Sequence, residues 1–203
     1  MDNFEQKQNE NSSVKINLGC GERPLPGFLN VDIRDIPGIE YPNIDVKNLS
    51  CFPDNHADYL YACHVLEHLP RTATFRALCE WNRVLKPGGM LRIAVPDWDA
   101  MVAYYQETED LENLLNILYG GAEEPSNHHY RVFNYGSLKT ILAEAGFKRF
   151  SRYDWRTTEH AAYDDFSKIY LPHMDFENGR LISLNVQCIK HAHILAPSAP
   201  KPV

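Results

Sequence analysis

Short apolar runs alternate with polar segments along the chain, and six of these runs predict β-strands. Each run is rich in β-branched, aromatic or aliphatic side chains, which are enriched in strands. Polar or turn-forming residues separate the runs, so we expect each to form its own strand. The runs cover residues 14–18, 28–31, 59–62, 90–95, 148–153 and 181–189.

Two of the intervening segments have the apolar spacing of helices. Residues 72–84, with Phe75 on the apolar face, end before a Lys-Pro-Gly-Gly sequence, which stops a helix. Residues 137–145 begin with Ser137, a good N-cap residue, and close at Gly146, a typical C-cap residue. The alternation of strands and helices predicts a mostly parallel sheet covered on both faces, with ligands beyond the carboxyl ends of the strands.

The organisation of the chain is that of one domain with two tails. At 203 residues it is long enough for one substantial core and too short for two of ordinary size. We expect the domain to span residues 14–195, with flexible tails at residues 1–13 and 196–203. Residues 155–178 form a long polar and aromatic insertion between two strands, which indicates a lid or a wall of the acceptor site.

Composition and charge argue against several classes of partner. The net charge of -7 and the pI near 5.7 give no basic field that would attract nucleic acid or anionic lipid. No apolar run approaches the roughly 20 residues of a membrane helix, and the polar N-terminus does not resemble a signal peptide. We therefore expect a cytoplasmic protein that binds neither nucleic acid nor a membrane.

The five cysteines indicate neither a metal site nor a disulfide framework. Their number is odd, they are scattered, and no pair has the C-x-x-C spacing of metal or redox sites. Reduced and mostly buried thiols are the expected state. No set of metal ligands is predicted.

The first predicted strand leads directly into a glycine-containing loop. Leu18 is followed by Gly19, Cys20 and Gly21, and glycine lets the backbone approach a ligand that a Cβ would push away. Asp32 lies at the end of the second strand, where its carboxylate could accept hydrogen bonds from two ribose hydroxyls. Together these features indicate a nucleoside site, although tight turns need glycine even without a ligand.

Four motifs follow one another in a specific order around this loop. They are L-G-C-G at 18–21, V-D at 31–32, H-V-L-E-H-L at 64–69 and L-K-P-G-G at 85–89. Through these motifs, residues 14–147 closely resemble the small class I S-adenosylmethionine-dependent methyltransferases of the type 11 kind. The resemblance implies a Rossmann-like α/β fold with a mostly parallel seven-stranded sheet and helices on both faces. It also implies S-adenosylmethionine as cofactor and S-adenosylhomocysteine as product.

The resemblance further implies roles for individual residues. Gly19 and Gly21 would line the methionine part of the cofactor, and Asp32 would hold the ribose. Asp45 and Val46 would flank the adenine, where the carboxylate could accept from the exocyclic amine. The expected cofactor site comprises Leu18, Gly19, Cys20, Gly21, Asp32, Ile33, Asp45, Val46, Cys63 and His64.

The chain departs from the family pattern around the glycine loop. Asn17 replaces an acidic residue that is common there, and the third glycine of G-x-G-x-x-G is absent. Only residues 22–27 separate the loop from the second strand, whereas a parallel crossover normally takes about a dozen residues and a helix. We therefore expect a shortened or missing first helix. This favours S-adenosylmethionine over NAD, because the NAD pyrophosphate needs a helix N-terminus.

Two histidines are candidates for catalysis. His64 follows the third strand, where it could contact the cofactor, orient the acceptor or accept its proton. His129 lies in a polar, histidine-containing segment, and related methyltransferases often carry a histidine there that faces the acceptor. A solvated polar loop explains His129 equally well.

His64, Glu67 and His68 also match the H-x-x-E-H motif of inverted zinc peptidases. That chemistry requires both histidines on one helical face, with the glutamate free to act on water. Because His64 directly follows a strand, we expect Glu67 and His68 to pack and cap at the start of a helical region instead.

Polar residues in the second half of the chain are the candidates for acceptor binding. Asp97 follows the fourth strand and would either contact the substrate or cap the next helix. Arg131 and Arg156 could orient a carboxylate or phosphate by bidentate hydrogen bonds. His160 and Tyr170 lie in the insertion, which could equally form the contact between two copies in a homodimer.

The predicted function is S-adenosylmethionine-dependent methylation of a small-molecule acceptor. The leading acceptor is a small polar metabolite, a sugar or phosphorylated precursor of a surface glycan methylated on oxygen, and N-methylation stays open. The alternatives are an NAD-type oxidoreductase or a non-catalytic nucleotide-binding module, which would use the same glycine loop and Asp32.

Overall fold

A six-stranded sheet forms the centre of the computed structural model, which describes residues 13–121 and 127–191. The predicted tails lie outside these residues, except for Ser13. The strand order is β2-β1-β3-β4-β8-β5, and β6 and β7 form a separate two-stranded sheet. The strands are β1 (Lys15–Leu18), β2 (Leu29–Val31), β3 (Ala57–Cys63), β4 (Leu85–Pro96), β5 (Phe147–Arg152), β6 (Tyr170–Leu171), β7 (Arg180–Leu181) and β8 (Ser183–Lys190).

Four α-helices connect these strands in the described part of the chain. They are α1 (Arg71–Val84), α2 (Trp98–Thr108), α3 (Glu112–Tyr119) and α4 (Tyr135–Glu144). Short 3-10 helices occur at Leu66–His68, Trp155–Thr157 and Phe166–Lys168. None of the helices in the described ranges is long and apolar enough to cross a membrane.

All six predicted runs contain a strand, and the sheet is mostly parallel as expected. β1 pairs in parallel with β2 and β3, and β3 with β4, whereas β8 is antiparallel to both β4 and β5. The central sheet does not reach the expected seven strands among the described residues. Beyond β2 the backbone makes a single parallel bridge between Val31 and Tyr41. Asn43 has φ +60°, so the chain leaves the extended conformation two residues after the bridge.

Both predicted helices are present, with differences at their ends. Phe75 is 40% exposed, so it does not belong to the buried face of α1. The chain passes from α1 directly into β4, and the Lys-Pro-Gly-Gly sequence lies inside the start of that strand. The N-cap of α4 is Asn134, which forms a capping box with Ser137 at the third helical position. The buried face of α1 is formed by Thr74, Ala77, Leu78, Trp81 and Val84.

The crossover between β1 and β2 contains no helix, as the short spacing predicted. In its place, Leu25 and Phe28 pack on Tyr59 and Tyr61, whose side chains lie on one face of β3. Alternate residues of β3, such as Leu60, belong to the main core on the opposite face. The missing helix therefore leaves part of one sheet face to be covered by other residues.

The insertion at 155–178 supplies that cover. The His160 ring lies 4.3 Å from the Tyr61 ring and 6.0 Å from the Phe28 ring, measured between centroids. The Tyr61 hydroxyl donates to Asp165 Oδ2 at 2.7 Å. Asn185 on β8 donates from Nδ2 to the Ser167 carbonyl at 2.8 Å. The insertion is thus packed against the sheet through both polar and aromatic contacts.

His160 is the most buried titratable residue of the insertion, at 2% exposure. Burial lowers the pKa of His160 and outweighs the nearby Asp165, whose Oδ2 lies 3.9 Å from Nε2. A lowered pKa keeps the imidazole neutral at physiological pH. His160 is therefore a packing residue beneath the insertion rather than the acceptor-binding residue that the sequence predicted.

Trp81 offers a direct test of how α1 supports the loop after β2. Its fully buried indole donates from Nε1 to the Val46 carbonyl at 2.8 Å. We expect Trp81→Phe to lower the free energy of unfolding by about 1–3 kcal/mol, because the buried carbonyl loses its donor. Trp98→Phe is the control, since Trp98 is 41% exposed, and should change stability by less than about 0.5 kcal/mol. Urea unfolding of both variants measures the difference, and equal losses would contradict this role of Trp81.

Candidate functional site

A cavity of about 680 Å³ opens at the carboxyl ends of β1, β2 and β3. The glycine loop and the strand ends form one side, and Asp165 and Phe166 of the insertion form part of the other. Nine of the ten predicted cofactor residues line it: Gly19, Cys20, Gly21, Asp32, Ile33, Asp45, Val46, Cys63 and His64.

Leu18 is the exception among the predicted cofactor residues. Its side chain is fully buried in the main core and does not line the cavity. Leu18 is the last residue of β1, and side chains alternate between the two sides of a strand. The residue belongs to the cofactor motif because it anchors the strand from which the loop starts.

The glycine loop has a backbone that other residues would adopt only under strain. Gly19 has φ +63° and Gly21 has φ +57°, both in the left-handed region. A Cβ on Gly19 would also lie 2.6 Å from Cγ2 of Val65, well inside van der Waals contact. The two glycines therefore allow the loop to turn tightly across the end of β3.

Asp32 is held in place by three donors and keeps capacity for more. Its Oδ2 accepts from the Gly21 N–H at 2.8 Å, and its Oδ1 accepts from the Arg34 N–H at 2.9 Å and from Arg34 Nε at 3.1 Å. A carboxylate has about four acceptor sites, so a further donor can still be accommodated. Asp32 is only 4% exposed, which makes its orientation well defined. These features fit a carboxylate that binds a ribose diol at the cavity wall.

Asp45 and Val46 border the cavity on the side assigned to adenine. Asp45 Oδ1 accepts from the Lys47 N–H at 2.9 Å, and Asp45 Oδ2 lies 3.1 Å from Lys47 Nζ. The Val46 carbonyl is fixed by its hydrogen bond from the Trp81 indole. The pair thus combines a fixed backbone with a partly exposed carboxylate.

The two cavity-lining cysteines are neutral thiols at physiological pH. Burial, with a smaller effect of Asp32, raises the pKa of Cys20 to about 11. Burial also raises the pKa of Cys63 well above its ordinary value, with Asp165 adding to the effect. Neither residue has the lowered pKa of a reactive thiolate, so both serve as a weakly polar lining.

His64 lies at the centre of a chain of polar contacts. Its backbone has φ +52°, and its Nδ1 lies 3.1 Å from Glu67 Oε1. Its Nε2 lies 3.1 Å from Ser183 Oγ, which in turn donates to Asn185 Oδ1 at 3.0 Å. The His64 side chain is 8% exposed, so it reaches the cavity with a small part of its surface.

Glu67 is fully buried beneath His64. Burial alone would raise the pKa of this carboxyl, but the charge and hydrogen bond of His64, together with the charge of His68, lower it below its ordinary value. Neither carboxylate oxygen accepts a well-aligned hydrogen bond, although Oε1 lies close to His64. Glu67 is therefore an ionised side chain whose hydrogen-bonding capacity is largely unused.

The zinc-peptidase interpretation of H-x-x-E-H does not fit the geometry. His64 precedes the 3-10 helix Leu66–His68 and has a left-handed backbone conformation. The motif histidines thus do not share the face of one α-helix, as that chemistry requires. The imidazole of His64 also contacts the Glu67 carboxylate directly, at 3.1 Å.

His129 does not line the cavity. Its Nδ1 lies 2.8 Å from the Ile117 carbonyl, and its ring packs edge-on against His68 with centroids 4.6 Å apart. Burial lowers the pKa of His129, so the ring is neutral at physiological pH. His68, against which His129 packs, does line the cavity. The predicted contact of His129 with an acceptor is therefore not supported.

The other predicted acceptor residues also lie away from this cavity. Asp97 is buried as the N-cap of α2, accepting from the Asp99 N–H, and its other oxygen binds Arg152 at 3.0 Å. Arg131 packs over the Phe133 ring. Arg156 donates to the Tyr170 hydroxyl at 3.1 Å, so these two residues bind each other. Local capping, packing and pairing account for all of these side chains without an acceptor.

Sequence reasoning missed several residues that line the cavity, among them Arg23, His68, Asp165 and Phe166. Arg23 pairs with Asp164 at 3.0 Å, and its guanidinium lies 4.9 Å from the centre of the Phe166 ring. The position of Arg23, shortly after the glycine loop, was a signal that could have been used. Asp165 and Phe166 are placed by tertiary packing of the insertion, which no local pattern reveals.

Comparisons with known proteins give a consistent result. Residues 27–93 match the family model described as a methyltransferase domain. One curated relative, an uncharacterized 37.1 kDa transposon protein from Streptomyces fradiae, is 35% identical over 76 residues. These residues are 37% of this chain and only 21% of the relative.

Solved structures extend the likeness over most of the chain. An S-adenosylmethionine-dependent methyltransferase from Archaeoglobus fulgidus has a TM-score of 0.54 at 16% identity, covering 88% of this chain and 86% of the other. A Thermotoga maritima protein, described as an S-adenosylmethionine-dependent methyltransferase and possible histamine N-methyltransferase, also gives 0.54 at 16% identity, with 87% and 81% covered. These likenesses confirm the predicted Rossmann-like fold.

Substitution of Gly19 tests the glycine loop. We expect Gly19→Ala to weaken binding of S-adenosylhomocysteine at least about tenfold, because the added Cβ meets Val65 and the backbone is left-handed. Gly27→Ala is the matched control, since Gly27 also has positive φ but its added Cβ would meet no atom within 4 Å. It should bear a similar backbone strain, on the order of 1–2 kcal/mol, without loss of affinity. Calorimetry that finds the two variants equally weakened would contradict the assignment.

Proposed function

We propose that the chain, which has the fold of the class I S-adenosylmethionine-dependent methyltransferases and matches a methyltransferase family model over residues 27–93, methylates a small polar metabolite. S-Adenosylmethionine is the cofactor that this family implies. The acceptor is a hydroxyl group, carried by a sugar or phosphorylated precursor of a surface glycan.

One observation carries this proposal: the glycine loop, Asp32 and Asp45 all border a single cavity. Gly19 and Gly21 would hold the methionine part of the cofactor, Asp32 the ribose and Asp45 the adenine. The spare acceptor site of Asp32 fits one ribose hydroxyl, and the second would take the place of the Arg34 Nε contact. The neutral Cys63 thiol avoids placing a nucleophile beside an electrophilic methyl group. The residues present therefore fit the cofactor.

Arg23 at the cavity wall is the residue that favours an anionic acceptor. Arg23 and its partner Asp164 are both exposed. Breaking this ion pair would cost little free energy, because surface ion pairs contribute only about 0–1 kcal/mol. An acceptor phosphate or carboxylate could replace Asp164 and gain a bidentate contact. Arg23 thus takes the anchoring role that the sequence assigned to Arg131 or Arg156.

Methyl transfer requires alignment more than chemical assistance. The cofactor supplies a methyl group on a sulfonium centre, and correct alignment of the acceptor can contribute about 7–11 kcal/mol. Phe166 and Tyr61 wall one side of the cavity and would exclude water. Because the Ser183 hydroxyl donates to Asn185, its contact with His64 uses the Nε2–H. His64 would accept the hydroxyl proton at Nε2 after releasing this contact and carrying its own proton on Nδ1, which faces Glu67. This arrangement makes His64 the proposed catalytic base.

The segment between β1 and β2 argues against an NAD-type oxidoreductase. The described chain between β1 and β2 forms turns and no helix. A dinucleotide pyrophosphate would lack the helix N-terminus that normally binds it.

The cytoplasmic location, the absence of nucleic-acid binding and the homodimer stay predictions. All five cysteines are free, which supports a reducing compartment.

The proposal is tested by incubating the protein with S-adenosylmethionine labelled in the methyl group and with separated pools of metabolites and macromolecules. We expect label in small polar molecules whose retention on an anion exchanger changes after phosphatase treatment. Labelling of macromolecules alone, or of no fraction at all, would contradict the proposal.

The variant Arg23→Gln tests in this assay whether Arg23 binds the acceptor. We expect labelling of the phosphatase-sensitive product to fall at least about tenfold, because a bidentate charged contact is lost, while S-adenosylhomocysteine binding is retained. Arg76→Gln, at an exposed position on α1 outside the cavity lining, is the control and should label normally. Equal labelling by both variants would remove Arg23 from the acceptor site.

A further inference from the structure

Glu67, His68 and His129 form a cluster of metal-ligand type beside the cavity. One ligand atom from each residue, a carboxylate oxygen or a ring nitrogen, lies within 4.8 Å of the others. The backbone builds this cluster from two distant segments, because the Tyr130 N–H donates to the Glu67 carbonyl at 2.8 Å and the His129 N–H donates to the Tyr119 carbonyl at 3.0 Å. The histidines are therefore brought together independently of any ion.

The buried carboxylate is the second, independent observation. Glu67 is fully buried, and neither of its oxygens has a well-aligned hydrogen bond. A buried carboxylate without partners is costly unless a cation or donor meets it. His64 lies near Oε1, which leaves Oε2 without a described partner.

Each member of the cluster also has a contact that would orient it as a ligand. His68 Nδ1 lies 3.2 Å from the His128 carbonyl, and His129 Nδ1 lies 2.8 Å from the Ile117 carbonyl. A carbonyl can only accept, so each Nδ1 carries the proton and each Nε2 keeps a lone pair. Metal-binding histidines are normally oriented by this type of contact. Glu67 contacts His64 Nδ1 through Oε1 at 3.1 Å, which leaves Oε2 for an ion.

We propose that Glu67, His68 and His129 bind a divalent transition-metal ion through one carboxylate oxygen and two imidazole nitrogens. Two histidines and one carboxylate suit Zn²⁺ and similar ions such as Fe²⁺ or Co²⁺, and leave coordination positions open. Small side-chain rotations would bring the ligand atoms to the metal distances of about 2.0–2.2 Å. The site departs from the prediction of no metal ligands, because the cluster depends on His129, which is far from the motif in sequence.

The proposed ion would lie near the acceptor. His68 lines the cavity, so an ion bound to it would lie next to the cavity. An oxygen of the acceptor could bind there and be oriented for methylation. This use of the ion rests on the proposed function, whereas metal binding itself does not.

Metal titration of the full chain, prepared without an affinity tag and stripped with a chelator, tests the site. Calorimetry with Zn²⁺ should give one tight equivalent, and Co²⁺ should develop the visible absorption of a protein-bound ion. We expect His68→Gln and His129→Gln each to weaken Zn²⁺ binding at least about tenfold, because each loses one ligand.

His128→Gln is the matched control, since the His128 side chain is exposed and only its carbonyl contacts His68. It should bind Zn²⁺ like the natural chain. Circular dichroism and S-adenosylhomocysteine binding show whether each variant is folded, so a failed cofactor site is distinguishable from a failed metal site. The proposal is overturned if the natural chain binds no Zn²⁺, or if His68→Gln and His129→Gln bind it as tightly as His128→Gln.

Discussion

The uncovered face of β3 is the constraint on which the rest of the structure depends. A short crossover between β1 and β2 leaves no helix over Tyr59 and Tyr61. Buried aromatic side chains in that position need a partner surface, and the hydrogen bond from Tyr61 to Asp165 fixes that surface. The insertion is therefore part of the core of the domain, although its sequence has the polar composition of a loop.

This packing links the fold to the site. Phe166 follows Asp165 directly, so the contact that covers the sheet also places a wall of the cavity. In the proposed function, an acceptor beside Phe166 would contact a packed segment, which favours the fixed alignment that methyl transfer requires. The same short crossover removes the helix that a dinucleotide would use. The short crossover between β1 and β2 thus affects both the proposed cofactor side and the proposed acceptor side of the cavity.

The sequence was sufficient to predict the six strands of the central sheet and nine of the ten predicted cofactor residues that border the cavity. Apolar runs predict strands by a local rule, and the glycine loop and Asp32 mark two strand ends, whereas the roles of Asp45 and Val46 were implied by the family resemblance. The acceptor residues were not predictable in the same way. Arg131, Arg156 and Tyr170 have suitable chemistry, but their pairing is decided by tertiary neighbours. The cluster of His129 with Glu67 likewise arises from backbone contacts between segments that no short motif connects.

The central claim is that the cavity holds S-adenosylmethionine rather than a dinucleotide. Calorimetric titration of the natural chain with S-adenosylhomocysteine and, separately, with NADH tests it most directly. We expect one bound S-adenosylhomocysteine per chain and no heat of binding for NADH. Binding of NADH without binding of S-adenosylhomocysteine would contradict the claim.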